Sequence, residues 1–379
     1  MQAIERMREV EAIMAVFAEQ TGLVQPGTSP QRYLWTDAFA VCTFLSLYRA
    51  TTEVRYRKLA LALIDQVHNV LGRHRPDDPR AGWISGLGEE EGRTHPTAGG
   101  LRIGKELPER RQFDPVDDRL EWERDGQYFH YLTKWMHALC RAGAVTGEAR
   151  YVHWALELAR AAYAGFVTSE RGRRRLYWKM SIDLSYPLVA SSGHHDPLDA
   201  YITCHEILHA GADGLDKELT ELAAMVEGGE WATSDPLGIG GLLFDACRVI
   251  EMTAAGRMQG ATLARTLVAA ALRSLEFFDA RSELARPAEY RLAFRELGLS
   301  IGLHAIEKMA RIAAEDGASF DSGLMPMLEA LRRYSGITTS IEAFWLEGDN
   351  RRANTWRDHA NINAVTLGTS LLPDEFLGA

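Results

Sequence analysis

Apolar side chains recur at helical spacing along most of the chain and mark about twelve helices, roughly at 2–20, 34–50, 54–71, 125–146, 148–167, 196–212, 214–227, 236–255, 260–279, 291–315, 322–334 and 356–372. No run with the two-residue alternation of a strand competes with them, so an all-α fold is expected. The helices are of two kinds. Helix 34–50 carries Ala38, Phe39, Val41, Cys42, Phe44, Leu45, Leu47 and Tyr48 nearly all round, the pattern of a helix buried on several sides. Its follower gathers Leu59, Leu63, Ile64, Val67 and Leu71 into one stripe and leaves Arg57, Lys58, Asp65, Gln66 and Asn69 to water. Helices 196–212 and 236–255 contrast with their followers in the same way, though less cleanly.

Connector lengths alternate with the helix types. The turns at 51–53, 147, 213, 256–259 and 316–321 are short, whereas 21–33, 72–124, 168–195, 228–235, 280–290 and 335–355 are long or rich in Gly and Pro. In an antiparallel helical array this puts the elaborated loops at one end, where function is expected. Asp196-Pro197-Leu198 and Asp235-Pro236-Leu237 open two of the apolar helices about 39 residues apart, with Asp read as N-cap and Pro at the first helical position. Asp37 and Asp125 stand similarly at two further helix starts.

Pairing each amphipathic helix with the apolar one after it gives six units, enough to close a ring. The whole chain thereby resembles the (α/α)6 toroid of the six-hairpin glycosidase-like proteins, which include glycoside hydrolases, unsaturated glucuronyl hydrolases and N-acylglucosamine 2-epimerase relatives. The resemblance implies a single domain over residues 1–379, an (α/α)6 toroid of six helical hairpins with long loops at one end. It lies in architecture, because no catalytic pattern of those families is matched residue by residue. WTDAF, HPTAGGLRIGK, RDGQYFHYLTKWMHAL and HHDPLD are also similar to stretches of an uncharacterised bacterial family.

Charge narrows the ligand. With 42 Lys and Arg against 52 Asp and Glu, the net charge of −10 repels a phosphate backbone, so nucleic acid is not an expected partner. The dense basic cluster Arg171, Arg173, Arg174 and Arg175 reads as a solvated turn. Acids and bases interrupt the N-terminal helix, and no run is long enough to cross a bilayer, so neither a signal segment nor a membrane partner is expected. Cys42, Cys140, Cys204 and Cys247 each fall on an apolar helical face as reduced core thiols do, which points to a cytoplasmic protein without disulfides.

The elaborated end collects Trp35, Asp37, Arg102, Tyr128, Trp178, Lys179, Trp345 and Arg357 as candidate substrate contacts. Aromatic faces with carboxylates and arginines are what sugar rings require, unless the tryptophans simply pin the loops down. Glycosidic cleavage needs a carboxyl group to protonate the leaving oxygen and usually a second carboxylate. Asp125, Asp183, Asp196 and Glu347 are the candidates; capping already explains Asp196, whereas Asp183, in a loop with no capping duty, is favoured. The expected ligand is a small-molecule or oligosaccharide substrate, handled by a glycoside hydrolase.

Three alternatives stand beside it. A sugar epimerase or isomerase would use His195 and His359 as bases, each beside an acid, with Arg357 holding an anionic substrate group. A non-catalytic sugar-binding or metabolite-binding protein would use the same aromatic residues. A zinc hydrolase would use His205-Glu206-Ile207-Leu208-His209, an HExxH pattern similar to that of zincin proteases, but no metzincin continuation follows it. The base expectation is therefore no metal. Thr97–Lys105 resembles a phosphate loop only superficially, since Lys105 is followed by Glu106, and no cofactor is expected.

Overall fold

A computed structural model describes residues 3–24, 30–170, 172–278, 280–317, 319–320 and 322–379. Arg171 of the basic cluster and the first residue of the expected N-terminal helix lie outside them. The chain opens on α1 (Ala3–Gln20) and divides into two compact units, Ala18–Gly228 on one hand and Met1–Phe17 with Gly229–Ala379 on the other.

The Ala18–Gly228 unit contains α2 (Leu34–Thr51), α3 (Val54–Leu71), α4 (Glu89–Thr94), α5 (Asp118–Glu121), α6 (Phe129–Thr146), α7 (Ala149–Phe166), α8 (Asp196–His209) and α9 (Asp216–Val226). Helix α6 packs against α2 and α8, while α3, α7 and α9 cover α2, α6 and α8 respectively. The apolar girdle of α2 accounts for its place, with every residue from Leu34 to Leu47 buried. Its neighbour α3 buries only the stripe that includes Leu63, Ile64, Val67 and Leu71. Gly147, at φ 74°, lets α6 end in a left-handed cap and turn directly into α7.

The expectation of no strands is corrected here. Gln127–Tyr128 (β1), Val167–Glu170 (β2), Arg173–Leu176 (β3), Lys179–Met180 (β4) and Pro187–Val189 (β5) make two small antiparallel sheets, ordered β1-β4-β5 and β2-β3. They span two to four residues each, too few to show a period. Arg173, Arg174 and Arg175 are strand residues, with Arg174 paired to Glu221 and Arg175 to Glu170.

The other unit contains, besides α1, the helices α10 (Pro236–Ala254), α11 (Ala261–Phe277), α12 (Ala280–Leu284), α13 (Ala293–Glu315), α14 (Leu324–Arg332), α15 (Gly336–Leu346), α16 (Asn354–Arg357) and α17 (Ala360–Leu371). Residues 335–355 were expected to be a connector, yet α15 occupies much of that span. Its opening Gly-Ile-Thr-Thr-Ser has weak helix propensity, and burial of Ile341 and Trp345 overrides it. Helices α10 and α13 make the most extensive helix contact of the unit. Their backbones meet at glycines: a Cβ on Gly240 would lie 2.0 Å from the Gly298 carbonyl oxygen, and one on Gly302 would lie 2.5 Å from the Gly240 oxygen. All four cysteines are buried, and none forms a disulfide. No helix of the described residues is long and apolar enough to cross a membrane.

Gly240→Ala is therefore expected to destabilise the protein by about 1–3 kcal/mol, because backbone on the far side cannot yield as a side chain can. Gly241→Ala, at a neighbouring position with nothing within 4 Å, should leave stability within about 0.5 kcal/mol of wild type or raise it. Paired urea denaturation curves compare the two; equal midpoints would contradict close backbone packing at this crossing.

Candidate functional site

Three neighbouring helices of the Ala18–Gly228 unit, α2, α6 and α8, bring acids, cations and aromatic rings to their N-terminal turns. In α2 the acid is committed to the backbone. Asp37 accepts the Tyr33 amide at 3.0 Å and lies 3.4 Å from the Arg32 guanidinium, a variant of the capping pattern read from sequence. Burial pushes its carboxyl up to about 6, with Arg32 and the Tyr33 amide resisting.

Helix α8 departs from the capping expectation. Asp235, in the twin tripeptide, does cap α10, accepting the Gly238 amide at 3.2 Å. Asp196 instead lies inside the first turn of α8, behind His195 as N-cap, and makes no such bond. It is only 6% exposed, lies against Gly193, and its Oδ2 has no hydrogen-bond partner. Burial is the main force on this carboxyl and the nearby Asp199 carboxylate adds to it; together they outweigh Lys134 and the Gly193 amide and push its pKa up to about 7. Asp199 itself accepts from Lys134 Nζ at 2.8 Å and from Thr133 Oγ1 at 2.5 Å, which ties α8 to the first turns of α6. His130, one turn before Lys134, feels the same two charges. Burial holds its imidazole neutral, with the pKa pulled down to about 3.

Aromatic rings surround His130. It lies parallel to Trp178 at 6.2 Å, edge-on to Tyr131 at 4.7 Å and to Trp35 at 5.8 Å, and 5.5 Å from Tyr128. The Tyr33 and Tyr131 hydroxyls are 2.6 Å apart. Trp178 is half-buried, packs on Tyr128 at 5.0 Å, and leads out to the 52%-exposed Trp122 at 4.9 Å. Its backbone amide donates to Ser191 at 2.8 Å, which draws the loop before Asp196 toward this cluster.

Several other candidates are structural ties. Asp125 is fully buried and accepts from Arg102 at 2.5 Å, Arg75 at 3.3 Å and the Gly104 and Gly126 amides at 3.0 Å each, so no lone pair is left for a substrate. Arg102 also donates to the Val70 and Arg73 carbonyls. Lys179 is wholly buried, donates to the Glu121 and Arg124 carbonyls, and has its pKa pulled down to about 8 by burial. Asp183 accepts from Arg80, Ser181 and Ser185; these donors outweigh partial burial and hold its carboxyl below the usual range. In the HExxH segment, Glu206 points into the core and meets His137 Nδ1 at 2.6 Å. Among the described residues no group of three or more His, Cys, Asp or Glu is arranged to hold a metal. His205 and His209 are half-buried on α8.

Trp345, Glu347, Arg357 and His359 belong to the other unit. Trp345, expected on an exposed rim, is fully buried: its indole donates to Glu296 at 2.8 Å, stacks on Trp356 at 5.5 Å and neighbours Arg291. Glu347, Arg357 and His359 are exposed, with Arg357 bonded to Asn354 and His359 edge-on to Phe294. In the Ala18–Gly228 unit His195 is half-buried and its ring lies 4.5 Å from that of His194.

Comparison with solved structures fits this helical plan. A GH76 alpha-mannanase of Bacteroides thetaiotaomicron superposes with a TM-score of 0.56 at 9% identity, covering 100% of this chain and 97% of the mannanase. A sugar epimerase from a ruminal bacterium gives 0.53 at 9% identity over 98% of both chains. The chain has the (α/α)6 toroid fold. No family model matches the chain, and no curated protein does.

His130, Lys134 and Tyr131 were not singled out from sequence. Their signal is local: His130 and Lys134 stand four residues apart on one helical face, as Asp196 and Asp199 stand three apart on another.

The raised Asp196 pKa has a consequence for stability. A carboxyl whose folded pKa exceeds its unfolded value favours the folded state below the unfolded pKa, and that advantage is lost as pH rises from about 4 to about 7. Asp196→Asn should therefore melt above wild type at pH 8, with the gap closing toward pH 4. Thermal melts across that range check the sign; a variant that is uniformly less stable would refute it.

Proposed function

We propose that the protein is a carbohydrate-active enzyme, a glycoside hydrolase in which Asp196 is the general acid. One observation carries the reading: Asp196 is a buried carboxyl with an unpartnered oxygen and a pKa near 7, at a helix start whose preceding loop is hydrogen-bonded to Trp178. A group of that pKa holds a proton at neutral pH and releases it readily, as protonation of a glycosidic oxygen requires. Asp199, fixed by Lys134 and Thr133, supplies the negative charge that keeps the proton on Asp196. Trp178, half-buried, offers a face on which a sugar ring can stack, and Tyr128 and His130 hold it in place. Asp183, held ionised, suits the role of a base better than that of an acid.

The fold supports this reading, since a mannanase and a sugar epimerase share it. Asp196 chemistry favours hydrolysis over the alternative built on His195 and His359. We place the whole chain in one catalytic domain, found in the cytoplasm.

Release of reducing ends from a panel of oligosaccharides, α-mannosides included, tests the reading. Wild type should be active with a rate that falls as pH rises above about 7, and Asp196→Asn should lose about 10²–10⁴ of the turnover while remaining folded. Undiminished turnover in that variant removes Asp196 from the chemistry. Solvent deuterium entering the α-carbon of a monosaccharide, with no reducing-end release, would replace hydrolysis with isomerisation.

A further inference from the structure

The unit formed by Met1–Phe17 and Gly229–Ala379 contains a cavity of about 540 Å³ bounded by α1, the C-terminal half of α13 and the segment after α17. Its polar lining is Arg6, His304, Lys308, Arg311 and Asp374. Three cations share this lining with one carboxylate, and Glu342, Glu251 and Glu315 each lie against one of them from outside it. Neighbouring acids do not use up these cations. Glu342 is nearly buried and accepts from His304 Nε2 at 2.7 Å and Ser370 Oγ at 2.8 Å, leaving Arg6 a single contact at 3.3 Å. Lys308 gives two of its three protons, to Glu251 and to the Leu377 carbonyl, each at 2.7 Å. The Arg311 side chain makes no hydrogen bond among the described residues; its ion pair with Glu315 is 3.8 Å long and 61% exposed on the arginine side, so water screens it.

We propose that this cavity binds a small phosphate-bearing molecule, with the phosphate among Arg6, Lys308 and Arg311. A phosphate monoester carries nearly two negative charges at neutral pH and can meet three cations at once, where Glu342, Glu251 and Glu315 each meet one. Its three acceptor oxygens take the N–H donors that Arg6, Lys308 and Arg311 leave unspent. The volume exceeds what a lone ion fills and falls within the usual range for small-ligand pockets. The site shares no residue with the Asp196 cluster and does not depend on the function proposed for it.

Isothermal titration calorimetry on the full chain at low ionic strength tests the proposal, with inorganic phosphate and glycerol 3-phosphate as ligands and glycerol as the neutral control. Both phosphates should bind saturably and glycerol should not. Arg311→Glu, at an exposed position, should fold normally and weaken both by about tenfold or more, whereas Asp196→Asn should bind as wild type does. Absence of saturable phosphate heat, equal affinity in Arg311→Glu, or loss of binding in Asp196→Asn would each overturn it.

Discussion

The site proposed in the Ala18–Gly228 unit rests on one cost, that of ionising a carboxyl group that is enclosed but not hydrogen-bonded at Oδ2. Asp196 sits in the first turn of α8, where unsatisfied amides and the helix dipole favour a negative charge by about 0.3–1 kcal/mol. Lys134 favours it too. Burial and the neighbouring Asp199 charge still win, since a shift from the ordinary carboxylate value to about 7 corresponds to roughly 4 kcal/mol in the opposite direction. The proton therefore stays on Asp196 because of where the side chain is enclosed and which charge lies beside it.

Four aspartates placed near helix starts or in loops show how environment divides one residue type into several roles. Asp125 is saturated by two guanidiniums and two amides and binds the long loop after α3 to the start of α6. Asp37 serves the backbone of α2. Asp183 is kept ionised by serine and arginine donors. Only Asp196 of the four combines deep burial with an oxygen that has no partner. Chemistry follows from that difference, because an acid already paired on every lone pair has nothing to give a substrate.

The helices were legible in sequence because each buries a stripe or a girdle that recurs at 3.6 residues, and Val54–Leu71 coincides with its expected bounds. Helix Gly336–Leu346 was not, since its polar first turn resembles a loop until Trp345 meets Glu296. The Asp-Pro-Leu twins show the limit of motif reading. The same tripeptide caps at Asp235 and does not at Asp196, because α8 begins one residue earlier relative to its Pro and encloses the side chain. The pairs that make the site join residues far apart in sequence, Lys134 with Asp199 and Tyr33 with Tyr131, and periodicity carries no information about them. Trp345 and Trp178 read alike in sequence, flanked by acids and bases, yet one fills a core and the other is half open.

The central claim is that one aspartate of this chain keeps its proton near neutral pH, and it is most directly tested by carbon NMR titration of protein labelled at the aspartate carboxyl carbon. Subtracting the spectrum of Asp196→Asn identifies the signal. A midpoint at about 7 for Asp196 is the predicted result; a midpoint near the ordinary carboxylate value would show that water or an unrecognised partner stabilises the charge, and the account of this site as a proton donor would not survive it.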